Sequence, residues 1–319
     1  MKKLIKLIIP YIILALFIFL ISQYYKNNKN EFKFINQLDY QTILSVIGMC
    51  FFYLITEAFI LRRSVKFFGK SLTFFGSFLV MNTTYLCNTF IQFSGLGFRA
   101  HYLKKTKKIG VIEFVIFSLF LIFIELMVFS FIGLISILIF ELTLDGFKID
   151  FSIKAIIFLI FFGSTIFLIF YNQLFNFISN ILKFENFKIL MTLCNFFENE
   201  KKRKLKKNII KLIPIFTVQF FIISIIFFSI YPIFGKPHSV ILSLISATLA
   251  DYSFIFLITP YAIGISEFFI YIGTVNFEIS LGEILFLMNS FRIGLFVFFV
   301  PIGIIHLTYL LNKKILWNT

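Results

Sequence analysis

The feature that most constrains this chain is a series of apolar blocks, at roughly 4–22, 40–60, 110–139, 153–171, 209–230 and 284–311. Each approaches the ~20 residues that a helix needs to cross a hydrocarbon core of about 30 Å, where backbone polar groups must be satisfied within the protein. The same residues exclude a soluble fold. Of the 319 residues only 14% are charged and 60% are hydrophobic, too few charges to cover the surface of a domain this long. The chain therefore reads as an all-α polytopic membrane protein, a single integral membrane domain over 1–319. The first block follows Lys2, Lys3 and Lys6 and lacks a small-residue cleavage site, so it reads as a retained helix.

The formal net charge of +15 acquires meaning once it is sorted by segment. Arg62, Arg63, Lys66 and Lys70 fall in 61–73, and Arg99, Lys104, Lys105, Lys107 and Lys108 fall in 94–109, both without an acid. The segment 172–208 carries the run KKRKLKK at 201–207 and reads as a basic cytoplasmic loop. Glu141, Asp145 and Asp150 dominate 140–152, while Glu278 and Glu283 are the charges of 278–283. Cytoplasmic loops are enriched in Lys and Arg, so the surplus reports orientation rather than a nucleic-acid partner.

That sorting conflicts with a plain helix count. If 74–93 crossed once, two strongly basic segments would lie on opposite sides. The stretch is also polar in its middle, with Asn82, Thr83, Thr84, Asn88 and Gln92. A re-entrant hairpin that enters and leaves on the basic side resolves both facts. The stretch 239–277 contains Asp251, the break Thr259-Pro260-Tyr261-Ala262-Ile263-Gly264, and Glu267. Proline removes a donor and turns its predecessor away from helix, so this stretch is either two short crossing helices or a second hairpin from the opposite side. The expected architecture is about six full spans plus two hairpins. It comprises a helix–hairpin–helix repeat over 40–139 and an inverted one over 209–311, with both termini cytoplasmic. Inverted repeats with broken helices are a transporter signature.

Ionisable groups within such blocks cost about 2.5–3.5 kcal/mol each on insertion scales, and so point to function. Glu125 lies midway along its block, Asp251 and Glu267 flank the second break, and Arg292 lies deep in the last block with Asn289 three residues before it. Arg is scarce beside Lys, so Arg99 and Arg292 suggest a planar fork for phosphate or carboxylate. Glu57 and Glu113 lie nearer the ends of their blocks, where pairing or snorkelling accounts for them. His306 reads as structural. His101, His238 and His306 are scattered, and Cys50, Cys87 and Cys194 show no paired spacing, so neither metal nor cofactor is expected. No HExxH, GxSxG or Walker sequence is present, and no nucleophile–base pair stands out; an enzyme is not expected.

Around both breaks the chain resembles a known family. Asn88-Thr-Phe-Ile-Gln-Phe-Ser-Gly95-Leu-Gly97-Phe-Arg99 looks like its first motif, and Pro260-Tyr-Ala-Ile-Gly264-Ile-Ser-Glu267 like its second, with Tyr261 and Ala262 in place of a glycine pair. Phe291-Arg292 with Pro301 is similar to the pattern of its last helix. The family is the lysylphosphatidylglycerol synthase transmembrane region, which includes the flippase half of the multiple peptide resistance factor. The resemblance implies a flippase-like transporter of a phospholipid or lipid-linked headgroup, in the cell envelope, at a bacterial inner membrane. It implies a substrate site at Asn88, Gly95, Gly97, Arg99, Glu125, Asp251, Pro260, Gly264, Glu267, Asn289 and Arg292. Membrane lipids are the expected partners, with self-association left open. Few residues follow the last block, so the aminoacyl-transferase domain of some relatives is not expected. A second reading is a non-transporting accessory protein that binds a polyprenyl-phosphate or glycolipid carrier in envelope polysaccharide biosynthesis.

Overall fold

A computed structural model describes residues 22–23, 26–27, 34, 36–90, 93–143, 149–182, 201–235, 239–253 and 262–313, with the backbone alone at 143, 171–182, 201–209 and 275. The first apolar block and Pro260 lie outside the described residues. Five long helices are apolar and long enough to cross a membrane. They are α1 (Tyr40–Phe67), α4 (Val111–Thr143), α5 (Phe151–Leu182), α6 (Lys201–Ile230) and α9 (Leu281–Asn312). Local chemistry sets their starts. Asp39 accepts a hydrogen bond from the Thr42 N–H to cap α1, which holds its carboxyl below the usual value. Ser280 and Glu283 form a capping box at α9. The basic run 201–207 belongs to the first turns of α6 rather than to a loop.

Four shorter helices make the hairpins: α2 (Phe74–Phe90), α3 (Ser94–Lys107), α7 (Ser239–Tyr252) and α8 (Ile265–Thr274). At 1.5 Å per residue they reach only about 25, 21, 21 and 15 Å, short of a crossing. Within the stretch 239–277 the described helices α7 and α8 pack on each other, as the two limbs of a hairpin do. The first hairpin extends further than its polar centre suggests: 74–90 is only the entering limb, and 94–107, with its lysines, is the returning one. The limbs run antiparallel. Ser94 Oγ donates to the Cys87 carbonyl at 2.6 Å, and the Gly95 N–H donates to Asn88 Oδ1 at 2.8 Å. Leu61 and Val65 of α1, Leu72, Leu103 of α3, and Ile109 and Phe114 then gather in one apolar cluster. Both basic segments thus lie at one end of the molecule.

The helices repeat as expected, with α1–α2–α3–α4 matching α6–α7–α8–α9. The principal packing pairs are closed under that exchange. The pair α1·α2 answers α6·α7, α2·α3 answers α7·α8, α3·α4 answers α8·α9, α2·α9 answers α7·α4, and α1·α9 answers α6·α4, while α1·α6 answers itself. A slight contact of α6 with α9 lacks a counterpart among the pairs of comparable size, and α5 stands outside the repeat, packed on α4. Two local features keep the same register. Gly133 of α4 and Gly303 of α9 each lie 22 residues beyond their helix start, and each admits the facing hairpin: Thr248 of α7 at Gly133, Asn82 and Leu86 of α2 at Gly303. Phe93 (φ 61°) and Gly264 (φ 88°) are left-handed residues immediately before the returning helices. The repeat is inverted, because α1 and α6 are antiparallel: Ser45 meets Ser229 at 3.0 Å, and Glu57 meets Gln219 at 2.8 Å.

The described end of each entering helix packs against a long span of the other repeat. Tyr252, at the end of α7, shares a 2.7 Å hydrogen bond with Ser130, near the middle of α4. Tyr85, late in α2, stacks on Phe299 of α9 with ring centroids 5.9 Å apart.

Closure of the first hairpin needs a missing side chain. A Cβ on Gly95 would stand 2.3 Å from the Thr84 carbonyl oxygen, whereas one on Gly97 would meet nothing within 4 Å. Gly95→Ala should lower the thermal unfolding midpoint in detergent, and Gly97→Ala, in the same helix, should leave it unchanged or raise it slightly.

Candidate functional site

Helices α1, α2, α3, α4 and α6 each pack on the next and close into a ring. Each contributes a polar side chain to one cluster: Glu57 from α1, Tyr85 from α2, Arg99 from α3, Glu125 from α4 and Gln219 from α6. Asp251 reaches the cluster from α7, and Tyr53 joins Glu57 one turn away. Gln219 Nε2 donates to Glu57 Oε1 at 2.8 Å, and Tyr85 Oη donates to Tyr53 Oη at 3.3 Å. The Arg99 guanidinium lies within electrostatic reach of Glu57 and Tyr85, and Glu125 within reach of Asp251 and Glu57.

Three atoms in this cluster are buried without a hydrogen-bond partner: Arg99 Nε, Gln219 Oε1 and Asp251 Oδ2. Arg99 is otherwise held weakly, by a 3.6 Å contact from Nη1 to Met81 Sδ and by the face of Phe114, 5.9 Å from its guanidinium carbon. Glu57, Tyr85, Arg99 and Glu125 are only half-buried. Orphaned polar atoms in a low-dielectric interior are costly, and three of the five such atoms among the described residues fall in this cluster. The cluster offers a guanidinium fork for an anion and a surplus of acceptors for hydroxyl or ammonium donors.

The second half of the repeat provides an internal comparison. Counted from helix starts, Arg99 of α3 corresponds to Ile270 of α8, and Glu125 of α4 to Leu295 of α9. Ile270 is 0% exposed and Leu295 3%. At these two positions the second half thus carries apolar side chains where the first carries charged ones. Symmetric packing alone does not require the polar set.

Arg292 belongs to a different constellation. It is buried and paired with Glu267, its Nη1 donating to Oε1, while its Nη2 donates to Ser266 Oγ at 2.7 Å and to Glu267 Oε2 at 3.3 Å. Glu267 Oε2 also accepts from the Gly264 N–H at 2.8 Å, so this pair fixes the start of α8 against α9. Asn289 is exposed on α9 and accepts a long 3.5 Å contact from Arg292. Asn88 and Gly95 tie the first hairpin together, and Gly97 is exposed and touches nothing. His306, buried, shares a 2.7 Å hydrogen bond with Thr83 of α2 and is structural.

Arg99, Glu125 and Asp251 were expected in one substrate site together with Asn88, Gly95, Gly97, Pro260, Gly264, Glu267, Asn289 and Arg292. The structure instead groups those three with Glu57, Gln219, Tyr53 and Tyr85, and it pairs Arg292 with Glu267 apart from them. Of the added four, Glu57 was assigned to the membrane edge and the others were passed over. A signal existed. Gln219 is the one amide within the apolar run 209–230, and Glu57 follows Tyr53 by four residues, on the same helical face. Among the described residues no group of three or more His, Cys, Asp or Glu could hold a metal ion. No protein-family model, curated protein or solved structure matches this chain.

The Arg292–Glu267 pair yields a test of its role. Removing one partner of a buried pair strands the other charge, so Glu267→Ala should destabilise the protein by about 3–5 kcal/mol. The double variant Glu267→Met/Arg292→Met should recover much of that loss in detergent unfolding.

Proposed function

We propose that this chain moves a lipid headgroup between membrane leaflets, its acyl chains remaining in the bilayer. The observation that carries the reading is the state of Arg99. Its guanidinium is half-buried, has an orphaned Nε, and rests on Met81 and Phe114, on the basic-end side of the cluster. A guanidinium in that state suits a phosphate, because its fork donates to two oxygens and no carboxylate among the described residues lies within 4 Å of it. In this mechanism the headgroup phosphate docks on Arg99. Hydroxyl or amine donors of the headgroup meet Gln219 Oε1 and Asp251 Oδ2, and Glu57 and Glu125 offset the charge of the arginine. The hairpins then admit the headgroup alternately from the two ends, as in transporters built from inverted repeats with broken helices. Arg292, already paired, is assigned to holding α8 rather than to the phosphate. A cell-envelope role at a bacterial inner membrane, with the basic end cytoplasmic, accompanies this reading through the positive-inside bias.

Reconstitution into liposomes with a leaflet-specific lipid assay tests it. The protein should raise the transbilayer rate of a phosphate-bearing lipid, and Arg99→Ala should return it to the protein-free rate while inserting normally. A lipid that copurifies but whose crossing rate is unchanged would instead indicate a non-transporting carrier-binding protein.

A further inference from the structure

The two hairpins differ in how they are attached to the spans, and the difference falls at equivalent positions. In the second, Glu267 is the third residue of α8 and Arg292 the twelfth of α9; the corresponding positions in the first are Leu96 of α3 and Ile122 of α4. The first hairpin is tied internally, by the bonds of Ser94 to Cys87 and of Gly95 to Asn88, and α2 packs broadly on α1 and α9. Helix α8, of only 10 residues, makes its principal helix contacts to α7 and α9, as α3 does to α2 and α4, but it adds a buried ion pair that α3 lacks. Glu267 takes Arg292 from α9, and both the Ser266 hydroxyl and the Gly264 N–H from the start of α8. Beyond this pair lie Ile270 and Leu295, both buried, where the first half has Arg99 and Glu125 half-buried. The polar ring is half-open while its counterpart is shut, as one state of an alternating-access pair requires.

We propose that the Arg292–Glu267 pair is a latch: it holds α8 against α9 to close the site on the side of the second hairpin, and its release makes α8 the moving gate. The inference rests on the transport reading but names a device that reading leaves unspecified. A buried, multiply hydrogen-bonded ion pair suits a latch because it is either made or broken, with little between. An apolar seam alone would yield gradually. The carboxylate sits in the first turn of α8, so one broken pair frees the start of that helix, to which Glu267 also binds through the Gly264 N–H.

The test uses the full chain with Cys50, Cys87 and Cys194 replaced by alanine and a reporter introduced as Leu295→Cys, in liposomes, with a membrane-impermeant maleimide on the side of the second hairpin. With the latch intact the reporter should label slowly. Glu267→Gln and Arg292→Gln should each raise the rate at least about tenfold, given what loss of one partner does to a buried pair. Equal rates in parent and variants, with folding verified by thermal unfolding, would overturn the latch. Should these variants not fold, Glu267→Asp keeps the charges but shortens the arm. It should label at an intermediate rate, and a rate equal to the parent's would overturn the proposal. Labelling needs no transported lipid. Fast-labelling variants of a protein that moves no lipid would therefore uphold the latch and remove the transport reading.

Discussion

A backbone that breaks its helix inside hydrocarbon has to satisfy its N–H and C=O groups against protein, since no water is there to do it. That requirement organises the molecule. Four helices too short to cross, α2, α3, α7 and α8, pair as hairpins, and the entering helix of each packs on spans from both repeats. Gly133 and Gly303 are small because the facing hairpin helix presses against them, and Gly95 because its own partner limb does. The antiparallel pair α1 and α6 forms the axis on which these shelters are built. Polar side chains become possible at the centre because the broken helices already make that region something other than a lipid-facing surface.

The symmetry of the scaffold gives weight to its asymmetries. One ring carries Glu57, Tyr85, Arg99, Glu125 and Gln219; register equivalents in the other include Ile270 and Leu295, both buried. Conversely the second hairpin has a buried ion pair where the first has Leu96 and Ile122. Each polar set is therefore an addition to a packing plan that holds without it. The pair attaches α8 to α9, and the proposed headgroup site gives the other polar set its use.

Much of this architecture was legible in the chain because its causes are local. Block length gave the spans, and the basic character shared by 61–73 and 94–109 required a hairpin between α1 and α4. The hairpin's returning limb was harder to read. Residues 94–107 are too polar to look membrane-embedded, yet Leu103 and Ala100 pack in a cluster with α1 and α4 while the lysines of the same helix reach outward. Tertiary packing of one face overrode composition there. The site followed the same division. Arg99, Glu125 and Asp251 stand out as charges in apolar surroundings, but Glu57 acquired its role from Gln219, 162 residues away in sequence. No local pattern predicts that partnership. Arg292 was visible as an expensive residue, though its pairing with Glu267 depends on how α8 is set against α9.

The central claim is that two hairpins enter from opposite faces of the membrane and stop within it. Single cysteines at Lys70 and Lys107, which flank the first hairpin, and at Gly235 and Glu278, which flank the second, test it most directly when probed with an impermeant thiol reagent in sealed vesicles of known orientation. The account predicts that the first two label from one side only and the second two from the other. Labelling of Lys70→Cys and Lys107→Cys from opposite sides would contradict it.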